Sequence, residues 1–287
     1  MVQLNNEWRS EFDDYLKNVI TTHQSTVKPL LNAIEYSLCD GGKRLRPRLL
    51  LEFYLLLSEN YKKAFPFAAA LEMIHASSLI HDDMPCMDDD SLRRGKPTLH
   101  CAKGESVAMV AGDALLNLAY ETMLNSSFAE TAIEAMRTIA SSAGANGVQG
   151  GQYLDTEILT KDAELVLTTY TLKTARLIEA ACLAGIQVAG GSAEEERAAS
   201  EFGLKLGIAF QIQDDILDVV GDVNLTGKMT GNDEKCQKTT YLSLFGMETS
   251  KSVVLQLLEE AKNALSIFGE RAKSLLALAD ELVSRKM

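Results

Sequence analysis

The chain has 287 residues, 46% of them hydrophobic, and a formal net charge of −12 at pH 7. That length and apolar share suffice for a sizeable core, so the class is soluble and globular rather than disordered. The acidity argues against a general nucleic-acid or anionic-membrane surface, both of which favour basic patches.

The opening stretch MVQLNNEWRSEFDDYL is polar and acidic, with no basic segment leading into an apolar one, so no secretory signal is expected. Leu4, Trp8, Phe12, Tyr15 and Val19 recur at three or four residues, a helical stripe. Breaks follow at CDGGKRLRP, SENYKKAFP, SLRRGKPT, GSAEEE and GDVNLTGKMTGNDEK. All five prolines fall at or before Pro97, and the proline-free remainder, rich in Ala, Leu, Glu and Lys, reads as helices. Near the end, Val254, Leu257, Ala261, Leu265, Phe268, Ala272, Leu275, Ala279 and Leu282 again keep the helical period. There is no strand-like alternation, no βαβ rhythm and no linker. The expected fold is all-α: about ten or more helices in a single domain over residues 1–287, an enlarged bundle. Gly112, Gly203 and Gly207 inside helical text point to close helix packing.

No apolar run reaches the ~18–20 residues that span a bilayer, so no stable membrane insertion is expected. Five scattered cysteines (Cys39, Cys86, Cys101, Cys182 and Cys236) form no CxxC pair and read as reduced thiols in a cytoplasmic protein. No zinc-spaced Cys/His cluster, P-loop or GxGxxG in a strand-to-helix context is present.

Three groups of residues could carry chemistry. The first is Asp82, Asp83 and Asp88 in LIHDDMPCMDDDSLRRG, at the end of an apolar helix that also carries His75 and His81. His75 lies two turns below Asp82 on the same face. Pro85 removes a backbone donor, so the helix should end or distort there, which can bring Asp88 back beside Asp82. Gathered carboxylates repel unless a cation sits between them, and oxygen ligands favour a hard ion such as Mg²⁺. The plain alternative is a solvated acidic loop. The second group is FQIQDDILD. Gln211, Asp214 and Asp218 share one face of a helix that is otherwise apolar, where unpaired acid is rare. The third is basic: Lys43, Arg44 and Arg46 in GGKRLRP, Arg93 and Arg94 in LRRG, then Lys173, Lys228 and Lys238. Each alone reads as an exposed cation; together, at loop–helix junctions, they suit phosphate. GGQYLD, with Gln152 and Asp155, reads equally as a packing glycine pair or a cavity wall.

In this order and spacing, GGKRLRP, HDDMPCMDDDSLRRGKPT, GGQYLD, LKT, FQIQDDILDVVGD and GKMTGNDEKCQKTTY cover about 200 residues. The chain thereby resembles the trans-isoprenyl diphosphate synthases, specifically the bacterial short-chain farnesyl and geranylgeranyl type. The resemblance implies long helices around a deep central cavity, with the two aspartate motifs facing across its mouth. It implies Asp82, Asp88 and Asp214 as Mg²⁺ ligands, with Asp83, Asp215 and Asp218 supporting, and three ions once diphosphate is bound. Lys43, Arg46, His75 and Arg94 match the isopentenyl diphosphate site. Arg93, Lys173, Lys228 and Lys238 match allylic diphosphate contacts, and Thr174 and Gln211 match groups beside the developing carbocation. Ser91 and the stretch Gln237–Leu242 depart from the usual family text, while the metal motifs are intact.

The implied reaction is condensation of isopentenyl diphosphate with an allylic diphosphate (dimethylallyl, geranyl or farnesyl). The allylic C–O bond ionises, the isopentenyl double bond attacks, and a proton leaves to the departing diphosphate. Ser77, five residues before Asp82, and Ser78 stand where the family sets product length. Their small side chains fit farnesyl and geranylgeranyl products alike, with Met73 able to close the pocket deeper down. The family also implies a homodimer. A terpene cyclase would not need the isopentenyl site, and a non-catalytic subunit of a heteromeric synthase should have lost aspartates.

Overall fold

The computed structural model describes residues 4, 7–39, 41–128, 132–157, 162–220 and 239–283. In chain order the helices are α1 (Trp8–Thr22), α2 (Lys28–Leu38), α3 (Leu45–Leu55), α4 (Phe65–Asp82), α5 (Leu99–Lys103), α6 (Glu105–Leu124), α7 (Ile133–Ala143), α8 (Val148–Glu157), α9 (Ala163–Tyr170), α10 (Arg176–Val188), α11 (Ala193–Val220), α12 (Tyr241–Phe245), α13 (Met247–Ala264) and α14 (Lys273–Val283). A 3-10 turn leads into α4, a π-helical turn (Thr171–Ala175) joins α9 to α10, and a 3-10 stretch (Leu265–Ala272) joins α13 to α14.

The helices follow from the apolar period. On α1 the buried stripe is Phe12, Leu16 and Ile20, with Trp8, Tyr15 and Val19 flanking it half-buried. Helix α4 is buried on every side from Phe67 to Ile74, which marks it as a central helix rather than an amphipathic surface one. It packs on α3 and α6; α10 packs on α3, α7 and α11, and α11 on α13. Proline at the first turn starts α2 and α4, where its missing N–H is no loss. At the C-terminal end the predicted stripe is buried at Val254, Ala261, Leu265, Phe268, Ala272, Leu275, Ala279 and Leu282, with Leu258 in place of Leu257.

The expected close packing at glycines is present. A Cβ on Gly112 of α6 would lie 2.2 Å from His81 Nε2, and one on Gly203 of α11 would lie 2.6 Å from Glu179 Cα.

One element departs from the sequence reading. SLRRGKPT is not a plain break but a hairpin, β1 (Leu92–Arg93) against β2 (Lys96–Pro97), with Leu92 opposite Pro97. Its turn residues, Arg94 and Gly95, have φ of 54° and 80°. Two positive φ values are the type I′ pattern that matches strand twist. An arginine there carries about 1–2 kcal/mol of backbone strain. Helix α6 is, by length and composition alone, long and apolar enough to cross a membrane, although Asp113 and Glu121 lie within it and its buried face packs on α4.

Candidate active site

Helix α4 ends at Asp82, as Pro85 requires, and the chain turns back on itself. The Asp88 N–H donates to the Asp82 carbonyl at 2.9 Å, so the two aspartates are drawn together at the helix end. Burial pushes the Asp82 carboxyl up to about 6 from 3.8; Asp88 and Asp83 add to the rise, while Lys173 and Arg93 oppose it. The influence of Lys173 means that the end of α4 faces the π-helical turn.

Asp83 has a different task from its neighbours. It is 4% exposed and receives a forked pair of hydrogen bonds from Arg93, Nε at 2.8 Å and Nη2 at 2.5 Å to Oδ1. Asp90 adds a 3.4 Å contact to Arg93 Nη2. Part of the abrupt change of charge in DDMPCMDDDSLRRG is therefore internal neutralisation that pins the hairpin to α4. The hairpin is also tied to α2, where Tyr36 donates to the Pro97 carbonyl at 2.7 Å.

Behind Asp82, on the same face of α4, stands His75. Burial holds its proton affinity well below the usual imidazole value, and the charges of Arg46, Arg94, Arg93 and Arg44 lower it further. Arg93 is paired with Asp83, and Arg44 with Glu72 and Asp13, but with Arg46 and Arg94 they keep the surroundings of His75 rich in guanidinium groups, a chemistry that receives anions. Burial opposes the charge of Arg46 while Glu72 and Asp214 both favour it, and its Nε is buried without a hydrogen-bond partner. Arg94 donates to the Gly41 carbonyl at 3.1 Å. Lys43 is exposed. A cleft opens on this cation side, lined among others by Tyr36, Glu72, His75, Leu79, Arg93, Arg94 and Leu99; among the described residues none of its lining comes from α11.

The π-helical turn carries Lys173 and Thr174, and close contact on both sides fixes it. A Cβ on Gly151 of α8 would sit 2.1 Å from the Lys173 backbone nitrogen, and one on Gly207 of α11 would sit 2.5 Å from Ala175 Cα. No side chain larger than hydrogen fits at either point, so α8 and α11 press directly on the turn. Lys173 pairs with Asp155 at 2.6 Å, and Thr174 donates to Gln211 at 2.7 Å. Gln211 in turn donates to Asp215 at 3.3 Å. Asp215 is 4% exposed and accepts a short hydrogen bond from Tyr170, whose hydroxyl also accepts the Tyr241 N–H at 2.9 Å. Asp214 is exposed and Asp218 half-buried on α11. Asp82 is thus linked to Lys173, and Lys173 through Thr174 and Gln211 to the second aspartate motif.

Ser77 is 4% exposed and donates to the Gly112 carbonyl of α6 at 2.8 Å, so it belongs to the α4–α6 seam. Ser78 is half-buried on the Asp82 face and donates to the His75 carbonyl. Met73 is fully buried, with Thr122 of α6 beside its sulfur at 3.9 Å. Lys228 and Lys238 lie outside the described residues. Three participants escaped sequence reasoning: Tyr170, Glu72 and Asp13. Tyr170 precedes Lys173 and Thr174 by three and four residues, the spacing of one helix face, which was the available signal.

The donor set suits a Mg²⁺ ion shared with a phosphate ligand. Among the described residues no three His, Cys, Asp or Glu side chains gather closely enough to hold an ion alone. Asp82 and Asp88 offer hard oxygen at one helix end, and the cations around His75 offer a place for phosphate. That fits an ion that takes one or two carboxylates and completes its shell with substrate phosphate and water.

A family model described as Polyprenyl synthetase matches residues 27–273. A geranylgeranyl diphosphate synthase of Cyanophora paradoxa is 41% identical over 265 residues, 89% of this chain and 87% of that protein. A dimethylallyltranstransferase of Fischerella ambigua is 40% identical over 262 residues, 89% of this chain and 76% of that protein. Among solved structures, an FPP/GFPP synthase from Zymomonas mobilis superposes with a TM-score of 0.85 at 32% identity, covering 96% of this chain and 95% of that one. A geranyltransferase from Legionella pneumophila gives a TM-score of 0.86 at 30% identity, covering 98% and 96%.

Proposed function

The chain belongs to the polyprenyl synthetase family and is a prenyltransferase, and from that premise we propose how its residues divide the work. The reaction is the condensation of isopentenyl diphosphate with an allylic diphosphate. Lys43, Arg46, His75 and Arg94 hold the diphosphate of isopentenyl diphosphate. Lys173 holds the allylic diphosphate, together with Lys228 and Lys238. Arg93, committed to Asp83, supports that site by fixing the hairpin and adding its positive field. What supports this division is the cleft that gathers Arg44, His75, Arg93 and Arg94 beside the helix face that carries Asp82.

Asp82, Asp88 and Asp214 are the residues that would hold Mg²⁺. When bound, the ions supply positive charge that makes the allylic diphosphate a leaving group. Thr174 and Gln211, hydrogen-bonded to each other, turn neutral oxygen dipoles toward the carbon that becomes cationic, which stabilises charge without capturing it. His75 offers a ring N–H as a hydrogen-bond donor to the diphosphate. Asp215 orients Gln211.

We read the products as farnesyl and geranylgeranyl diphosphate. The geranylgeranyl diphosphate synthases among its relatives support the longer one. A homodimer is supported by Val107 and Val110, exposed one turn apart on α6. The free thiols of Cys39, Cys86, Cys101 and Cys182 support a reducing, cytoplasmic setting. The deciding experiment incubates the protein with Mg²⁺, labelled isopentenyl diphosphate and, in turn, dimethylallyl, geranyl and farnesyl diphosphate, then sizes the products. Label in C15 and C20 diphosphates is expected. A hydrocarbon released from farnesyl diphosphate without label would make it a cyclase, and no product would make it a non-catalytic subunit.

A further inference from the structure

The loop Gly41–Arg44, which leads into α3, is held from outside by helix α1, which lies N-terminal to the residues matched by the family model. Two side chains of α1 reach it. Arg9 donates from Nη2 to the Gly42 carbonyl at 2.6 Å. Asp13 accepts from Arg44 Nε at 2.9 Å. Arg44 itself is 2% exposed and points away from solvent into the bundle. It donates Nη1 to Glu72 of α4 at 2.7 Å and Nη2 to the Leu38 carbonyl at the end of α2 at 3.0 Å. A single rigid guanidinium fork therefore joins α1, α2 and α4 at the cap of α3. Burial opposes its charge, but Glu72 and Asp13 outweigh that and hold its proton more tightly than usual.

The backbone at this point is not relaxed. Arg44 has φ 50°, a left-handed conformation that a non-glycine residue adopts only when its surroundings impose it. Gly42 has φ 97°, and a Cβ there would lie 2.7 Å from the Arg94 guanidinium, so that group lies flat on its α-carbon. Lys43 and Arg46 flank Arg44 on either side. Release of Arg44 would let the backbone relax and would turn both of them at once, together with the seat of Arg94.

We propose that Asp13 is a positioning residue for the isopentenyl diphosphate site. It touches no substrate. It holds Arg44 in its forked geometry, with Arg9 as a second tether, so that Lys43, Arg46 and Arg94 converge. The proposal rests on the reading of those three residues and His75 as that site. Asp13 is the informative position because its side chain is 31% exposed and its loss leaves Arg44 paired with Glu72, whereas removal of Arg44 would strand the buried Glu72 and unfold the region.

The test is steady-state kinetics of the full chain with geranyl diphosphate, varying each substrate in turn. Asp13→Ala should raise KM for isopentenyl diphosphate about tenfold, the factor carried by one charge-assisted hydrogen bond, while KM for geranyl diphosphate stays within about twofold. Arg9→Ala should move it in the same direction, and Asp13→Glu should restore most of the loss. An unchanged KM for isopentenyl diphosphate in Asp13→Ala overturns the proposal. So does a parallel change in both KM values together with a lowered Tm, which would make Asp13 merely structural. Lys43→Ala is the control: if it leaves KM for isopentenyl diphosphate unmoved in an active enzyme, the site reading itself is wrong and the proposal falls with it.

Discussion

Replacing Asp82 by asparagine should make the metal-free protein more stable and the enzyme nearly inactive. Burial and the Asp88 charge push the Asp82 carboxyl from 3.8 to about 6. Below 3.8 the group is protonated whether or not the chain is folded. Between the two values the folded chain keeps a proton that the unfolded chain releases, so stability falls as pH rises. Above about 6 the folded chain carries the full penalty of the charge, roughly 3 kcal/mol at about 1.4 kcal/mol per unit of pKa. An asparagine is never charged and avoids it. In chelator, the Asp82→Asn variant should therefore melt roughly 5–10 °C above wild type at pH 7.5, with the gap closing as pH falls toward 4. Thermal melts from pH 4 to 8 read this directly. A gap independent of pH, or a variant less stable than wild type at pH 7.5, would refute the reasoning. Addition of Mg²⁺ with inorganic pyrophosphate should reverse the order, because only wild type gains from binding.

Four further outcomes follow from the geometry. Ser78→Phe, on the Asp82 face, should shorten the main product by five carbons in a radiolabel product assay. Ser77→Phe should mainly lower Tm, by the strain of about 1–3 kcal/mol that overpacking brings to the α4–α6 seam. Gly207→Ala should displace the π-helical turn and reduce kcat more than tenfold, because its Cβ would meet Ala175 at 2.5 Å; geranyl diphosphate kinetics with a circular-dichroism control would show it. Tyr170→Phe leaves Asp215 and the Tyr241 N–H short of one buried partner, so global stability in urea should fall by about 1–3 kcal/mol.

The helices were legible in the sequence because their cause is local. The stripe on α1 and the end of α4 before Pro85 follow from side-chain period and a missing backbone donor. The hairpin was not legible, since its strands are two residues long and Arg94 occupies a turn position that usually holds asparagine. Nor was the π-helical turn, whose cause lies in α8 and α11 pressing on it through Gly151 and Gly207. Among three aspartates of equal chemistry, only tertiary structure shows that Asp83 is committed to Arg93 while Asp82 and Asp88 are left at the helix end. Arg44 reads in sequence like Lys43 and Arg46, yet it points inward, because Glu72 and Asp13 are there to receive it.

The account stands on two acidic clusters acting on one diphosphate. Calorimetric titration of inorganic pyrophosphate in Mg²⁺ into wild type, Asp82→Ala, Asp214→Ala and the double variant measures that directly. Each single change should abolish most of the affinity, and the double variant should bind little worse than either, since both remove parts of one site. Losses that simply add, or a single variant that binds as wild type does, would show that the clusters do not share a ligand.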